Sequence, residues 1–398
     1  MDPELARWLV SPEAAGALTA ADGESDPRSL AAATRMRRLV SADRAAAVLN
    51  QVDLRRRAVG KFGARAAALF FTSTGLEQAT RAAVARRRAE RFAAHTRTVA
   101  DLGCGLGADA LALLDAGVRV TAIEADQSTA ILAAANLQAT GGPALVRVAD
   151  AVDAWEDLRG ESGGVFCDPG RRSATGRSWR VEDLSPPWDF ARGLLDGSRL
   201  ACVKLGPGVD RGILPAEAEV EWVSDARSVV ECAAWAGPGS RPGRRVAVVD
   251  GAELEATGRG AVEPSAPAAY LWEPDGAVIR ARAVDDLAVQ LNATRIDPGV
   301  AYLTSPTVAP TPFARAFRIR DVLPWDEKTV RGWLRHHRVG VLEIKKRGIN
   351  VDPATVRRRL KPQGPESATL VLTPSPRGAL AIVCEPISAS LALRLNEC

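Results

Sequence analysis

Three glycines at alternate positions follow an aspartate in the segment VADLGCGLGADALAL, residues 99–113. Asp101 precedes Gly103, Gly105 and Gly107, and a helix-sized segment comes directly after them. Glycine lets the chain turn tightly and lets the backbone approach a ligand closely. The first turn of a helix offers N–H groups that have no intrahelical partner. These residue types at this spacing predict a ligand-binding loop between a strand and a helix.

The charge of the loop distinguishes between possible ligands. A dinucleotide site holds a pyrophosphate on a G-x-G-x-x-G loop, whereas this loop reads G-x-G-x-G with the carboxylate of Asp101 at its mouth. A carboxylate is poorly matched to phosphate and well matched to a ligand that carries an ammonium and a sulfonium. Glu124 ends the next apolar run and is placed to accept hydrogen bonds from ribose hydroxyls. Asp150 follows the third run and could accept the exocyclic amine of adenine, so the set predicts S-adenosyl-L-methionine as the cofactor.

The elements that must position these residues alternate along the middle of the chain. Helix-sized amphipathic segments, ADALALLDAG and QSTAILAAANLQATG, separate short apolar runs that end in glycine or an acidic residue. The runs are TVADLG, RVTAIEAD, ALVRVAD, GVFCDPG and LACVKLG. Strands that alternate with helices predict a parallel sheet covered by helices. EVEWVSDARSVVECAAWAG and GRRVAVVDGAEL follow without a helix-length insert, which predicts an antiparallel hairpin closing the edge of the sheet.

Changes of texture along the chain predict three domains. Residues 1–95 are rich in Ala, Leu, Arg and Glu, with apolar positions recurring at three and four, which is typical of helices. The Gly-, Pro- and Ala-rich segment ATGRGAVEPSAPAAY predicts a linker. Beyond it, the strand-sized runs FRIRDVLPW, RVGVLEIKKRG, ATLVLTP and LAIVCEP and the helix-sized DEKTVRGWLRHH and DPATVRRRLK predict an α+β domain. We therefore predict domains over residues 1–95, 96–258 and 265–396.

The composition argues against several classes of protein. With 46% hydrophobic and 25% charged residues, the chain has the make-up of a soluble globular protein. No apolar run is long enough to cross a bilayer, and MDPELARWLV lacks the basic and apolar regions of a signal peptide. The six cysteines show no paired spacing, which favours reduced thiols. The chain has only three histidines, which argues against a metal site. We expect a cytoplasmic protein without a membrane or metal partner.

Taken together, these motifs resemble the class I S-adenosylmethionine-dependent methyltransferases over residues 98–255. DLGCGLG matches the first motif of that family, AIEAD the acidic end of the second strand and VADA the third, while FCDPGRR stands at the end of the fourth. With KFG, VKLGPGVD and LEIKKRGINVDPATVRRRL, the whole chain resembles bacterial methyltransferases with a THUMP-like C-terminal domain. The resemblance implies an α/β fold: a Rossmann-like class I methyltransferase sheet, an N-terminal helical region and a C-terminal α+β THUMP-like domain. The alternative is a bare Rossmann-like domain that binds NAD or nothing.

The end of the fourth strand is the expected place of the chemistry, because ligands of open α/β sheets bind beyond the carboxyl ends of the strands. Amino-group methyltransferases often carry Asn or Asp followed by Pro-Pro-aromatic there. The resemblance implies that Asp168 and Pro169 orient the target amine towards the methyl group. The sequence departs from that pattern by continuing with Gly170, Arg171 and Arg172. Those two arginines are either salt-bridged surface residues or phosphate contacts beside the target.

Two neighbouring features have alternative interpretations. SPPW, residues 185–188, is either a turn and helix start or the source of a stacking face in Trp188. Cys167 precedes Asp168, and a cysteine is the nucleophile of cytosine C5-methyltransferases. Because side chains alternate along a strand, Cys167 and Asp168 should point to opposite faces. We therefore predict that Cys167 is a core thiol.

Basic residues concentrate near the C-terminus. Residues 314–362 contain 14 Lys or Arg against 5 Asp or Glu, a balance of +9 that leaves about −5 for the rest of a chain whose net charge is +4. The segment IKKRG places Lys345, Lys346 and Arg347 together, and VRRRLK follows it. The cluster is either a solvated face or a set of phosphate contacts that positions RNA without reading its sequence. THUMP domains are associated with RNA, mostly tRNA, so the resemblance implies an RNA substrate.

Three functional hypotheses follow. The first is an S-adenosylmethionine-dependent methyltransferase that acts on a base of tRNA or rRNA. The second is a methyltransferase of a small molecule or a protein, in which the tail only covers the active site. The third is a non-catalytic RNA-binding module that retains S-adenosylmethionine as a structural ligand.

Overall fold

The computed structural model describes residues 1–139, 141–171, 181–258 and 260–387, without the side chain of Arg171. The chain divides into two compact units. The first unit consists of Met1–Val220 and Glu231–Gly243, and the second consists of Glu221–Val230 and the chain from Arg244 onward.

The N-terminal region is helical, as the sequence predicts. Side-chain oxygens cap several helix starts: Asp2, Ser29 and Thr72 each accept a hydrogen bond from a backbone N–H of the following turn. Leu9 and Phe92 belong to the same hydrophobic core as residues of the adjoining sheet. The helices are α1 (Pro3–Val10), α2 (Ala15–Asp22), α3 (Leu30–Met36), α4 (Ala42–Phe62), α5 (Ser73–Gln78) and α6 (Ala82–Ala93).

Strands and helices alternate in the rest of the first unit, which confirms the predicted βα pattern. The elements are β1 (Thr98–Leu102), α7 (Ala108–Asp115), β2 (Arg119–Glu124), α8 (Gln127–Gln138), β3 (Ala144–Val148), α9 (Ala151–Leu158), β4 (Gly164–Cys167), β5 (Gly170–Arg171), β6 (Leu184–Ser185), α10 (Trp188–Gly193) and β7 (Leu200–Leu205). Strands β3, β2, β1, β4 and β7 lie side by side in that order and are parallel. Short β5 pairs with β6, and α10 begins directly after the SPP turn.

The register of the parallel strands brings their ends to one edge of the sheet. Leu102 of β1 is level with Ile123 of β2 and with Cys167 of β4. Cys167 is in turn level with Val203 of β7. The residues that follow these positions therefore share the carboxyl edge, where ligands of open α/β sheets bind.

The predicted antiparallel hairpin is present after β7. It is formed by β8 (Glu219–Asp225) and β9 (Ser228–Ala236), and β9 pairs antiparallel with β7. The two turn residues, Ala226 and Arg227, have φ values of 47° and 64°, as a type I′ hairpin turn requires. A second antiparallel pair follows, β10 (Arg245–Val249) with β11 (Ala252–Glu255).

The second unit contains the predicted α+β fold around a separate sheet. Its further elements are β12 (Tyr270–Pro274), α11 (Gly276–Ala281), α12 (Val284–Gln290), β13 (Thr294–Arg295), β14 (Leu303–Ser305), β15 (Ala314–Pro324), α13 (Glu327–His336), β16 (Val339–Lys346), α14 (Pro353–Leu360), β17 (Glu366–Thr373) and β18 (Leu380–Pro386). The strand order is β13-β14-β12-β15-β18-β17-β16. Asp326 and Asp352 cap α13 and α14 by accepting hydrogen bonds from the N–H groups of Thr329 and Thr355.

Candidate functional site

The glycine loop has the backbone conformation that its sequence predicts. Gly103, Gly105 and Gly107 have φ values of 83°, 55° and 84°, a region that glycine enters without the steric penalty of a Cβ atom. The N–H groups of Gly103 and Cys104 both donate to the carbonyl oxygen of Ile123 at 2.9 Å, which ties the loop to β2. A Cβ atom at Gly103 would lie 3.5 Å from the carbonyl oxygen of Asp168, so the loop and the end of β4 are adjacent.

Glu124 fixes the same loop from the end of β2. Its Oε2 accepts the N–H of Gly105 at 3.0 Å, and its Oε1 accepts the N–H of Asp126 at 2.9 Å. Each carboxylate oxygen has more than one lone pair, so both can accept a further hydrogen bond from a ligand. Glu124 is therefore equipped both to shape the loop and to bind hydroxyl groups.

Asp101 carries a buried carboxylate without a partner. It is fully buried in β1, and neither carboxylate oxygen has a hydrogen-bond partner in the described part of the chain. Burial, together with the negative charges of Asp109 and Asp168, holds the pKa of Asp101 well above its usual range. A buried polar group without a partner is costly, and a cationic ligand group would remove that cost.

Asp150 lies at the same edge but is exposed and already engaged on one side. It caps α9 by accepting the N–H of Val152 on Oδ1 at 2.8 Å. Asp150 is exposed to solvent, and its Oδ2 forms no hydrogen bond with any of the described residues. Its predicted contact with the adenine amine stays a prediction.

Asp168, directly after β4, forms an ion pair that its sequence context did not predict. Its Oδ2 lies 2.5 Å from Nζ of Lys204, which is near the end of β7. The side chain of Asp168 is 33% exposed and that of Lys204 is 13% exposed. Pro169 and Asp168 thus stand at the rim of the sheet beside a partly buried ammonium. The signal in the sequence was the single lysine inside the apolar run LACVKLG.

A buried network of charges continues from this pair. Nζ of Lys204 donates to the hydroxyl of Thr80 at 3.0 Å, and that hydroxyl lies 2.6 Å from Oδ2 of Asp109. The buried guanidinium of Arg88 contacts Asp109 and Glu231 and lies over the ring of Phe166.

The network explains the ionisation of its two cations. Burial by itself disfavours the charged forms of Arg88 and Lys204. The surrounding carboxylates, Asp109 and Glu231 for both and Asp168 for Lys204, outweigh burial and raise both pKa values. Helix α6, the glycine-loop helix α7 and strand β9 are thereby joined by charge-assisted hydrogen bonds.

Two alternatives from the sequence are settled by burial. Cys167 is fully buried, and burial raises the pKa of its thiol well above the usual range, so it has the character of a core thiol and not of a nucleophile. Trp188 is buried at the start of α10. The segment 185–188 is therefore a turn and helix start, and its tryptophan is not an exposed stacking face.

The predicted basic cluster of the second unit divides into engaged and exposed residues. The ammonium of Lys345 lies 2.9 Å from the carboxylate of Glu273, and its side chain is mostly buried. The guanidinium of Arg347 lies over the ring of Tyr302 at 5.4 Å. Lys346 between them is exposed. Arg172 and the side chain of Arg171 lie outside the described residues.

Exposed basic residues also line the helical pair, which we define as α13 with α14. Nε of Arg331 on α13 donates to the carbonyl oxygen of Arg359 on α14 at 3.1 Å, so the two helices lie side by side. The exposed basic residues on and directly after these helices are Lys328, Arg335, Arg338, Arg357, Arg358, Arg359 and Lys361.

Comparisons with known proteins show which family has this arrangement. Residues 314–386 match the family described as THUMP domain-like, and residues 2–58 match a domain of unknown function (DUF8688). Two relatives, uncharacterized S-adenosylmethionine-dependent methyltransferases from two strains of Mycobacterium tuberculosis, are each 33% identical over 367 residues. The alignment covers 86% of this chain and 98% of each relative. This chain belongs to the S-adenosylmethionine-dependent methyltransferases.

The fold of the methyltransferase has a counterpart among solved structures. A protein from Porphyromonas gingivalis, whose crystal structure is described as that of a candidate methyltransferase, has a TM-score of 0.77 at 20% identity. The similarity covers 94% of this chain and 98% of that one. Because the identity is low, this likeness supports the fold alone.

The cofactor of the methyltransferase is S-adenosylmethionine. The residues present fit it, since the fully buried carboxylate of Asp101 lacks a partner beside a glycine loop in which a Cβ would be strained. No helix in the described ranges is long and apolar enough to span a bilayer. Within those same ranges, no three His, Cys, Asp or Glu side chains are placed to hold a metal ion.

Proposed function

We propose that this enzyme methylates a base of tRNA or rRNA. The observation that carries the proposal is the exposed basic surface of the helical pair, which lies inside the segment that matches a THUMP-like domain. Residues 96–258 then serve as the catalytic domain, residues 265–396 as the RNA-docking domain and residues 1–95 as a helical region attached to the catalytic domain.

The cofactor residues act from three neighbouring strand ends. Asp101 binds the cationic methionine part of the cofactor, while Gly103, Gly105 and Gly107 let the backbone approach it. Glu124 accepts hydrogen bonds from the ribose, and Asp150 accepts one from the adenine amine. Bound S-adenosylmethionine supplies an electrophilic methyl group on its sulfonium.

Asp168 and Pro169 act on the acceptor. The carboxylate of Asp168 is at the rim and one third exposed, so it can accept an N–H of the target amine and orient the nitrogen lone pair. The same negative charge stabilises the positive charge that develops on nitrogen during transfer. Pro169 restricts the backbone that carries this carboxylate.

RNA is held by phosphate contacts in the second unit. Lys346 and the exposed basic residues of the helical pair other than Arg358 and Arg359 are available to contact phosphate. Arg359 pairs with Glu327 and Arg358 donates to Thr355, and Lys345 is paired with Glu273. Such contacts position RNA without reading its sequence. The observed pairing thus shifts the expected contacts from the IKKRG strand towards the helices.

We expect the triple variant Arg335→Ala, Arg357→Ala, Lys361→Ala to bind RNA more weakly and with a flatter salt dependence. The slope should fall by about 0.7 for each single-strand phosphate contact that is lost. The measurement is RNA affinity over a series of salt concentrations. The control is Lys345→Ala with Arg347→Ala, whose side chains are engaged within the domain and whose loss should leave the slope unchanged. Equal slopes for the triple variant and the wild type would contradict the assignment.

We expect Asp101→Asn to stabilise the cofactor-free protein and to lower its affinity for S-adenosylmethionine. The raised pKa of Asp101 means that the folded state disfavours its ionised form. Stability of the wild type therefore falls as pH rises through the folded-state pKa, and the amide removes that fall. S-adenosylmethionine should bind about 1–3 kcal/mol less tightly, because a charge-assisted hydrogen bond is lost. Thermal unfolding near pH 7 and calorimetry measure the two effects, and a variant that is less stable without cofactor speaks against the unpartnered carboxylate.

Transfer of labelled methyl from S-adenosylmethionine tests the function as a whole. The enzyme is incubated with RNA from a strain that lacks it, and with protein and small-molecule fractions of the same cells. Label that enters RNA and is released by nuclease supports the proposal. Label only in protein or small molecules supports the second hypothesis, and cofactor binding without transfer supports the non-catalytic module.

A further inference from the structure

Lys204 is a charged side chain in a strand that is otherwise apolar and buried. Strand β7 reads LACVKL, and its residues other than Lys204 are buried. A buried ammonium is costly unless it is paired and hydrogen-bonded. Lys204 has both kinds of partner, with Nζ 2.5 Å from Oδ2 of Asp168 and 3.0 Å from the hydroxyl of Thr80.

The Lys204 ammonium is also held by a hydrogen-bond partner other than Asp168. The hydroxyl of Thr80 accepts from Lys204 and donates to Oδ2 of Asp109 at 2.6 Å. Asp109 is in turn ion-paired with the buried Arg88. Thr80, Asp109 and Arg88 are all buried, so their hydrogen bonds restrict the ammonium to one location.

The N-terminal helices hold the backbone that carries Thr80. Nζ of Lys61, near the end of α4, donates to the carbonyl oxygens of Leu76, Glu77 and Ala79 at 2.6, 2.8 and 3.0 Å. These carbonyls lie at the end of α5 and directly before Thr80. The lysine of the KFG motif thus connects the helical region to the chain of contacts that ends at Asp168.

The carboxylate of Asp168 is anchored on one oxygen only. Lys204 occupies Oδ2, whereas Oδ1 accepts no hydrogen bond within the described parts of the chain. With one third of its surface exposed, the side chain is accessible from solvent. An anchored oxygen beside an open one restricts the orientation of the carboxylate and leaves one acceptor for a substrate.

We propose that Lys204 is a positioning residue for methyl transfer, which holds Asp168 in the orientation that the acceptor requires, and that Thr80 and Lys61 fix Lys204 in turn. This inference rests on the proposed role of Asp168. Lys204 acts through Asp168 and does not contribute to cofactor binding.

The test is a pair of double-mutant cycles on the full-length enzyme, with Lys204→Met, Asp168→Asn and the combination. Lys204→Met is expected to lower kcat about 10- to 100-fold, to change the Kd for S-adenosylmethionine by less than about twofold, and to add little in the Asp168→Asn background. Lys204→Arg keeps the cation and should recover part of the lost kcat. The second cycle measures melting temperatures, which should be non-additive because the two side chains are in contact.

Each measured outcome supports or contradicts the positioning role of Lys204. Multiplicative effects on kcat, or a loss of cofactor affinity that parallels the loss of kcat, would overturn the positioning role. Additive melting temperatures would overturn the contact itself. If the wild type transfers methyl to protein or a small molecule and not to RNA, the proposed function fails. The same double-mutant cycle in kcat, measured with that acceptor, then still tests the positioning role of Lys204.

Discussion

Asp168→Asn is expected to lower kcat about 100-fold and to leave the affinity for S-adenosylmethionine within about twofold of the wild type. The amide keeps the shape and one acceptor oxygen but removes the charge that stabilises developing positive charge on the acceptor nitrogen. Asp168→Ala has neither shape nor acceptor and should lose roughly a further order of magnitude. Steady-state kinetics with saturating cofactor, together with calorimetry, measure the two quantities separately.

The matched control for Asp168 is Asp189→Asn. Asp189 is an exposed carboxylate in the first turn of α10 in the same unit, and its conversion to an amide should leave kcat unchanged. A different result would reassign the residue: if Asp168→Ala transfers methyl at the wild-type rate but binds S-adenosylmethionine poorly, then Asp168 is a cofactor ligand. The acceptor would then have to be held by other groups at the rim.

Arg88→Met is expected to destabilise the first unit by about 3–5 kcal/mol, the range for removing one partner of a buried ion pair. The substitution leaves the buried carboxylates of Asp109 and Glu231 without their counter-charge. Urea unfolding followed by tryptophan fluorescence measures the change, since Trp235 lies in the same core. Because Asp109 is on the helix that follows the glycine loop, cofactor affinity should fall in parallel.

Arg65→Met provides the comparison, because its partner Asp115 lies on α7, the same helix that carries Asp109. Arg65 pairs with Asp115 of α7 at 2.6 Å, but the two side chains are 42% and 49% exposed. Exposed pairs contribute about 0–1 kcal/mol because water screens them. Similar losses of stability in Arg88→Met and Arg65→Met would contradict the explanation by burial.

Local sequence determined the elements and the loop. The G-x-G-x-G spacing led to the strand–loop–helix unit because glycine is needed where φ is positive, and all three glycines have that conformation. Strand-sized apolar runs separated by amphipathic segments predicted the parallel sheet, because helices and strands differ in the period of their apolar residues. The carboxyl ends of parallel strands lie at one edge of the sheet, so the sequence alone could predict that Asp101, Glu124 and Asp168 lie near one another.

The partners of the charged residues were decided by tertiary structure alone. Lys204 is 36 residues from Asp168, and Lys345 is 72 residues from Glu273. Neither hydrophobic periodicity nor local propensity predicts contacts between residues so far apart in sequence. Whether a lysine is a free phosphate contact or one half of a buried pair depends on which carboxylate the fold places beside it, and on how much water the surrounding residues exclude. For that reason the strand ends that form the candidate site were predictable from sequence. The Lys204–Asp168 pair and the pairing of Lys345 with Glu273 depend on how the strands pack.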